Sequence, residues 1–331
     1  MSARPQPVVM IGCGGFARRY HVPALLADET LAIHTLLDPY PVAETHALVE
    51  RTGARLVSSL ADLPRDLPDA IALVTTPHTL HAEHTAAALE CGYNVLVDKP
   101  FVSHASEARA LADRAHALGA VNAVAYNRRF DRGCLRAREI LRAGGIGAVR
   151  FVQTVQLGYE RAGWFLVPSL GGGGPYTGRA SHMADIVPWL LGRQPTALRS
   201  RLRDGGPGRT DRGGFIELDL GDLEWQATCI EEGWHMWDEV RIFGEDGLLE
   251  LRRPLTLPLG WSLSWLTRRG EQEETLAAEP IAGGATRDFV AAVRTGSRPA
   301  CTFEDAIPAV RIIERAFEAA RTPGEWLAVG S

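Results

Sequence analysis

The sequence has little of what marks the more specialised classes of protein. Its five cysteines, Cys13, Cys91, Cys134, Cys229 and Cys301, are odd in number, far apart and never in CxxC spacing. That argues against a disulfide framework or a zinc ribbon and fits a reducing cytoplasm. No apolar run approaches the roughly 18 residues of a membrane span, and the opening MSARPQP is not followed by an apolar stretch of signal-peptide length. An excess of basic charge is also missing. The formal net charge is -5, so neither nucleic acid nor an anionic membrane is an expected partner. Internal repeats and low-complexity tracts are absent. What remains is a globular composition, 46% hydrophobic and 23% charged over 331 residues, long enough for two domains.

In the first part of the chain, apolar runs without alternating polarity are separated by helical patterns. VVMI (8–11), LAIHTLLD (31–38), AIALVT (70–75), NVLV (94–97) and AVNAVAY (120–126) read as buried strands. Between them, PVAETHALVERTG is stopped by Gly53, TLHAEHTAAALECG has Gly92 past its end, and SHASEARALADRAHALG has Ser103 as its cap and Gly119 as its stop. Such alternation predicts a parallel sheet covered on both faces, a doubly wound Rossmann domain over residues 1–125. Residues 126–331 read differently. RFVQTVQLGY, GFIELDL, LEWQATCI and EVRIFG are strand-like, and a turn at Gly221 and Asp222 joins two of them as a hairpin. The expectation is an α+β domain with an open, mostly antiparallel sheet. A last helix over about 303–321 carries Ile307, Val310, Ile313, Ala316, Phe317 and Ala320 on one stripe and is expected to pack back toward the N-terminal domain. RDGGPGRTDRGG (203–214) reads as a flexible loop.

The first chemical motif is GCGGFA (12–17). Gly12, Gly14 and Ala17 match GxGxxA directly after a strand and opening a helix, the context that makes this short pattern informative. Gly12 permits the tight turn, Gly14 lets a pyrophosphate approach backbone amides, and Ala17 allows helix and strand to pack closely; Cys13, Gly15 and Phe16 complete the loop. Asp38 ends the second strand, where a carboxylate accepts from a ribose 2′-OH and repels a 2′-phosphate. NAD is therefore the expected cofactor, with Arg18 and Arg19 leaving NADP open because a guanidinium pairs with phosphate.

Two further clusters carry acid/base groups. In NVLVDKPFV (94–102), Asp98 and Lys99 stand where a buried strand ends, in the crevice where doubly wound sheets bind ligands. Burial favours the neutral amine and Asp98 the charged one, so Lys99 suits proton transfer to or from an alcohol oxygen; the alternative is an ion pair on the surface. In GGGGPYTGRASHMADI (171–186), His182 and Asp185 lie three apart on a predicted helix and share a face, so that the carboxylate would orient the imidazole. The four glycines lack the Lys and Ser or Thr of a P-loop and read as a mobile substrate loop. His78, His81 and His84 turn progressively round a helix with no completing acid or thiol, so no metal is expected. Arg128 and Arg129 offer guanidiniums for hydroxyls or a carboxylate, or a solvated face. Tyr159, Trp164, Trp234 and Trp237 offer faces that stack on sugars or pack in a core.

Together GCGGFA, Asp38, TTPHTLH (75–81), DKP (98–100), YNRRF (126–130) and SHMADIVPWLLG (181–192) resemble the Gfo/Idh/MocA family, which includes glucose-fructose oxidoreductase and inositol dehydrogenase. The likeness covers nearly the whole chain. It implies a Rossmann domain and an open-sheet domain that holds substrate and assembles the protein as a homodimer or homotetramer. It implies NAD(P)-dependent hydride transfer between nicotinamide and a secondary alcohol or ketone of a sugar, cyclitol or related polyol. In the family the lysine segment reads EKP, making Lys99 the group beside the nicotinamide, with Asp98 in place of Glu. By the same resemblance His182 projects toward substrate with Asp185 behind it. Gly178 stands where the family has an aspartate, leaving Tyr176, Thr177 or Arg179 to compensate. Thr75, Thr76 and Pro77 run beside the dinucleotide and His81 shapes the same rim. Tyr126, Arg128, Tyr159, Trp164 and Tyr176 join Lys99 and His182 as expected substrate contacts. The competing implications are a non-redox NAD(P)-binding sensor of the same fold, an NAD-dependent glycosidase, and a bile-pigment or imine reductase.

Overall fold

The five apolar runs of the N-terminal part become strands of one sheet, in the computed structural model that describes residues 5–253, 260–268, 276 and 283–330. They are β1 (Gln6–Ile11), β2 (Leu31–Leu37), β4 (Ile71–Val74), β5 (Asn94–Asp98) and β6 (Asn122–Ala125), with a short β3 (Arg55–Val57) after β2. The order is β3-β2-β1-β4-β5-β6 and every pair is parallel. All four residues of β4 are buried, as a strand covered on both faces requires. The order reverses between β1 and β4, so the carboxyl ends of β1, β4 and β5 surround the switch point at which ligands bind in such sheets. Gly53 and Gly119 leave their helices at positive φ, 67° and 63°, where a β-carbon is strained. The helix Ala105–Ala117 starts one residue later than its serine suggests. His104, not Ser103, is the cap, its side chain taking the third helical amide while Glu107 accepts from the His104 N–H at 3.1 Å. Residues 282–307 belong to this same compact unit with residues 1–126.

The second unit, residues 127–281 and 308–331, is built on a sheet of eight strands. These are β7 (Val149–Leu157), β8 (Ala197–Leu202), β9 (Gly213–Asp219), β10 (Glu224–Ile230), β11 (Trp237–Gly244), β12 (Gly247–Arg253), β13 (Ser262–Thr267) and β14 (Leu327–Ala328), in the order β13-β12-β11-β7-β10-β9-β8-β14. Only β7 and β10 pair in parallel; the other pairs are antiparallel. The turn at Gly221, φ 90°, joins β9 to β10 as expected. One face is core: Val152, Thr154, Gln156, Trp225, Cys229, Val240, Ile242, Leu249 and Leu251 are buried. The other is open, and its rows run Phe151, Phe243, Leu248 and Leu266, then Gln153, Arg241, Glu250 and Ser264 across β7, β11, β12 and β13. The final helix is Phe303–Ala319. Its Ala316 carbonyl accepts from Ser200 Oγ of β8 at 2.5 Å.

The first glycine-rich stretch makes close contacts, as do Gly205, Gly213 and Gly214 of the second, while Gly206 and Gly208 face open space. Asp211 accepts hydrogen bonds from the Gly174 and Gly213 amides at 2.5 and 2.7 Å. A β-carbon on Gly174 would lie 2.1 Å from the Asp211 carbonyl oxygen, and one on Gly173 2.2 Å from the Phe317 ring. Close approach is what Gly173 and Gly174 supply.

Candidate active site

The turn after β1 is shaped for a close ligand. Gly12 sits at φ 91°, and a β-carbon there would lie 2.9 Å from both the Thr75 carbonyl and Thr76 Cγ2. Gly14 and Gly15 instead face open space, with nothing within 4 Å of a would-be β-carbon, so a pyrophosphate can reach their amides. Ala17 is buried beneath. Cys13 is 1% exposed, so the loop offers its backbone and not its thiol. Asp38 continues from β2 with Oδ1 on the Tyr40 amide at 3.0 Å and Oδ2 accepting from Thr45 Oγ1 at 3.2 Å, a fixed orientation suited to a ribose diol. Arg18 turns back to donate to the Cys13 carbonyl oxygen instead of lining a phosphate.

At the end of β5, Asp98 and Lys99 are 9% and 8% exposed, which removes the surface ion pair as an account of them. The Lys99 amide donates to Asp98 Oδ1 at 2.8 Å. Burial raises the Asp98 carboxyl to about 6, against the opposing pull of the Lys99 charge and amide. Lys99 Nζ lies 5.9 Å from the centre of the Phe16 ring in the glycine loop, and that ring stacks on Tyr20 at 4.4 Å. The phosphate turn and the lysine, 83 positions apart in the chain and unlinked by any local pattern, thus face one crevice. Thr75 Oγ1 donates to the Gly12 carbonyl at 2.7 Å, placing Thr75, Thr76 and Pro77 along the same edge. His81 is 1% exposed and meets that edge through the Thr76 carbonyl, 2.9 Å from Nε2.

In the second unit the helix Ser181–Leu191 follows a π-turn at Tyr176–Ala180, a feature that often marks function. Its first turns are buried except at His182, which is partly exposed. Other expected residues have the following surroundings. The Asp185 carboxylate, expected to orient His182, is gripped by Arg129, with Nε 3.1 Å from both oxygens and Nη2 2.5 Å from Oδ1. Arg128, expected at substrate, stacks on Trp261 at 4.8 Å and donates to Asp238 at 3.1 Å and to Met183 Sδ at 3.3 Å. Tyr176 is fully buried, and burial holds its hydroxyl well above the usual range. Arg179 donates to Asp238 at 2.7 Å and to the Leu157 carbonyl at 2.6 Å. Thr177 Oγ1 accepts from the Gly173 amide at 3.0 Å. None of these three stands in for the carboxylate missing at Gly178. Of the aromatic expectations, Tyr159 is 53% exposed, Trp164 stacks on Phe165 at 3.7 Å, and Tyr126 is buried at the end of β6.

The model described as an oxidoreductase family with an NAD-binding Rossmann fold matches residues 7–126, and the GFO/IDH/MocA C-terminal domain matches residues 134–250. The chain belongs to the GFO/IDH/MocA family. Among relatives in the GFO/IDH/MocA family, D-glucoside 3-dehydrogenase of Escherichia coli (strain K12) is 30% identical over 201 residues, 58% of this chain and 56% of that protein. The match therefore spans little more than half the length of that relative. The scyllo-inositol 2-dehydrogenase (NADP(+)) IolW of Bacillus subtilis (strain 168) is 25% identical over 295 residues, 81% of each. The aldose-aldose oxidoreductase of Caulobacter crescentus, crystallised with glycerol, shares the fold with a TM-score of 0.86 and 22% identity over 98% of this chain and 100% of that one. For this family member the residues present fit NAD: the open amides of Gly14 and Gly15 suit the pyrophosphate and Asp38 the adenosine ribose.

One compositional signal lies outside the motifs. Lys99 is the only lysine in the chain; every other basic side chain apart from histidine is arginine. A guanidinium stays protonated in proteins and an ammonium need not. Asp238, by contrast, carries no sequence signal, because Arg128 and Arg179 lie 110 and 59 residues away in the chain.

Proposed function

We propose that this protein is an NAD-dependent dehydrogenase or reductase acting on a secondary alcohol or ketone of a sugar, cyclitol or related polyol. The observation that carries the reading is the position of the sole lysine, buried at the carboxyl end of β5 and facing Phe16 of the nucleotide loop. NAD, when bound, supplies the hydride acceptor or donor. Lys99 takes the proton from the substrate oxygen as the alcohol is oxidised and returns it when a ketone is reduced. Asp98, one residue earlier, favours the charged amine, while burial favours the neutral one, which sets Lys99 up to exchange a proton. His182 is the second group assigned to the substrate oxygen. The names of the relatives support the polyol class, and the cytoplasm is the compartment that suits five free thiols.

The test is turnover of a panel of aldoses, glycosides and inositols with NAD or NADP, read as formation of the reduced nucleotide. At least one polyol is expected to react, with kcat/KM for NAD at least about tenfold above that for NADP, because Asp38 repels a 2′-phosphate and tenfold corresponds to only about 1.4 kcal/mol. Nucleotide binding with no turnover of any polyol replaces this reading by the non-redox sensor.

We also propose that the open face of the second sheet joins two copies of this chain. The face pairs an apolar row, with Phe151 and Phe243 rings 5.8 Å apart, with alternating charges in which Arg241 meets Glu250 at 2.8 Å and Arg252 meets Glu250 at 2.7 Å. Such a surface complements itself across a two-fold axis. Light scattering is expected to give a dimer or tetramer, and Leu266→Arg, at a site 48% exposed, to give monomers. A monomeric unsubstituted protein sinks the proposal.

A further inference from the structure

We propose that His81, assisted by His84, is a positioning residue that ties the loop after β4 to the turn after β5 and so fixes Lys99 relative to the glycine loop. The proposal rests on the dehydrogenase reading. Its substance is a set of contacts within the first unit that the nucleotide and substrate assignments leave unexplained.

The His81 ring stands between two backbone segments. Nδ1 lies 2.7 Å from the Pro100 carbonyl oxygen and 3.3 Å from that of Phe101, while Nε2 lies 2.9 Å from the Thr76 carbonyl oxygen. His84 holds the same threonine from its other side, with Nδ1 3.0 Å from Thr76 Oγ1. Carbonyl oxygens at hydrogen-bond distance from both nitrogens of His81 leave no room for a metal ion, which needs about 2 Å from nitrogen. His81 is therefore explained by its backbone partners and His84 by the Thr76 hydroxyl.

The arrangement is not the cheapest way to fill the space. Both nitrogens face acceptors, but a neutral imidazole carries a single N–H. Burial is the larger influence and lowers the ring to about 4, over the opposing effect of the three carbonyls, so near neutral pH only one end is a true hydrogen bond. A side chain that keeps one unfavourable contact in a buried site breaks a local rule, and such breaks concentrate at functional positions.

Following the contacts shows what the ring joins. Gly12 meets Thr75 through the Thr75 Oγ1 hydrogen bond and lies against Thr76. The Thr76 carbonyl meets His81, which meets the Pro100 carbonyl, one residue after Lys99. Lys99 Nζ then faces Phe16, back in the glycine loop. The circuit is closed, and His81 is its one link between the β4 and β5 loops that is made by a side chain. Without it, the turn that carries Lys99 loses this anchor to the loop after β4, and a displacement of about 1 Å costs on the order of a hundredfold in rate.

The single lysine makes the test direct. Protein grown on lysine labelled with 13C at the ε-carbon gives one side-chain resonance, and its pH titration reports Lys99 with no substrate present. In His81→Gln we expect the resonance to shift and its titration midpoint to move, the dissociation constant for NAD by tryptophan fluorescence to stay within about threefold, and kcat to fall roughly 10- to 100-fold with KM little changed. A folded His81→Gln protein with an unaltered lysine titration and unaltered kcat overturns the proposal. If that variant does not fold, His84→Ala, at a half-buried site, replaces it: a smaller shift in the same resonance and a several-fold fall in kcat are expected, and no change in either overturns the proposal. If the unsubstituted protein turns over no polyol, the dehydrogenase reading falls, while the lysine titration still decides whether His81 positions Lys99.

Discussion

Lys99→Arg lowers kcat by about 10² to 10⁴, the contribution of a positioned proton carrier, while NAD affinity stays within about threefold. The substitution keeps a positive charge beside Asp98 and removes the one side-chain amine in the chain. A purely electrostatic role, such as holding Asp98 ionised, survives it; proton exchange does not. Lys99→Met is the companion variant, because it fits the 8% exposed site more closely than the branched guanidinium does. Steady-state kinetics across pH separates the two roles. Both variants are expected to lose the pH dependence of kcat/KM that belongs to the amine, and near-normal turnover in both removes Lys99 from the chemistry.

Asp238→Asn is expected to destabilise the second unit by about 3–5 kcal/mol, the cost of removing one partner from a buried ionic cluster. One carboxylate serves three guanidiniums there: Arg179 at 2.7 Å, Arg128 at 3.1 Å and Arg253 at 3.5 Å, with Gln156 Nε2 at 3.3 Å. Burial alone would raise the Asp238 carboxyl, but Arg179, Arg128 and Arg253 hold it well below the usual carboxylate range. Because the folded value lies below the unfolded one, this stability is fully present above about pH 4 and is lost only as the solution becomes strongly acid. Urea titrations of the two proteins are therefore expected to differ most at neutral pH and to converge in acid. A difference under about 1 kcal/mol at neutral pH shows that the cluster is solvated in solution.

The glycine loop, Asp38 and Lys99 were legible in the sequence because each sits at a strand end, and strand ends are marked by local periodicity. The parallel order of the first sheet followed from the same alternation. β3 escaped because its three residues, Arg55, Leu56 and Val57, are too few for any period, and β8 because ALRSRL mixes arginine with its apolar positions. Long-range partners were not legible. Asp185 lies one turn from His182, yet its carboxylate is taken by Arg129, 56 residues away. Arg128 finds Asp238 at a separation of 110. Nothing local records such partners; they are chosen when the helix and sheet of the second unit close on each other, and a guanidinium read as a substrate ligand becomes a structural cation.

The solitary ε-amine has a consequence beyond catalysis. Aldehydes, acetyl donors and other amine-directed reagents meet, apart from the α-amino group, a single side-chain amine that is almost wholly sheltered. Reducing sugars that would progressively decorate an ordinary lysine-rich exterior have no ε-amino group to attack except the sheltered one at the end of β5.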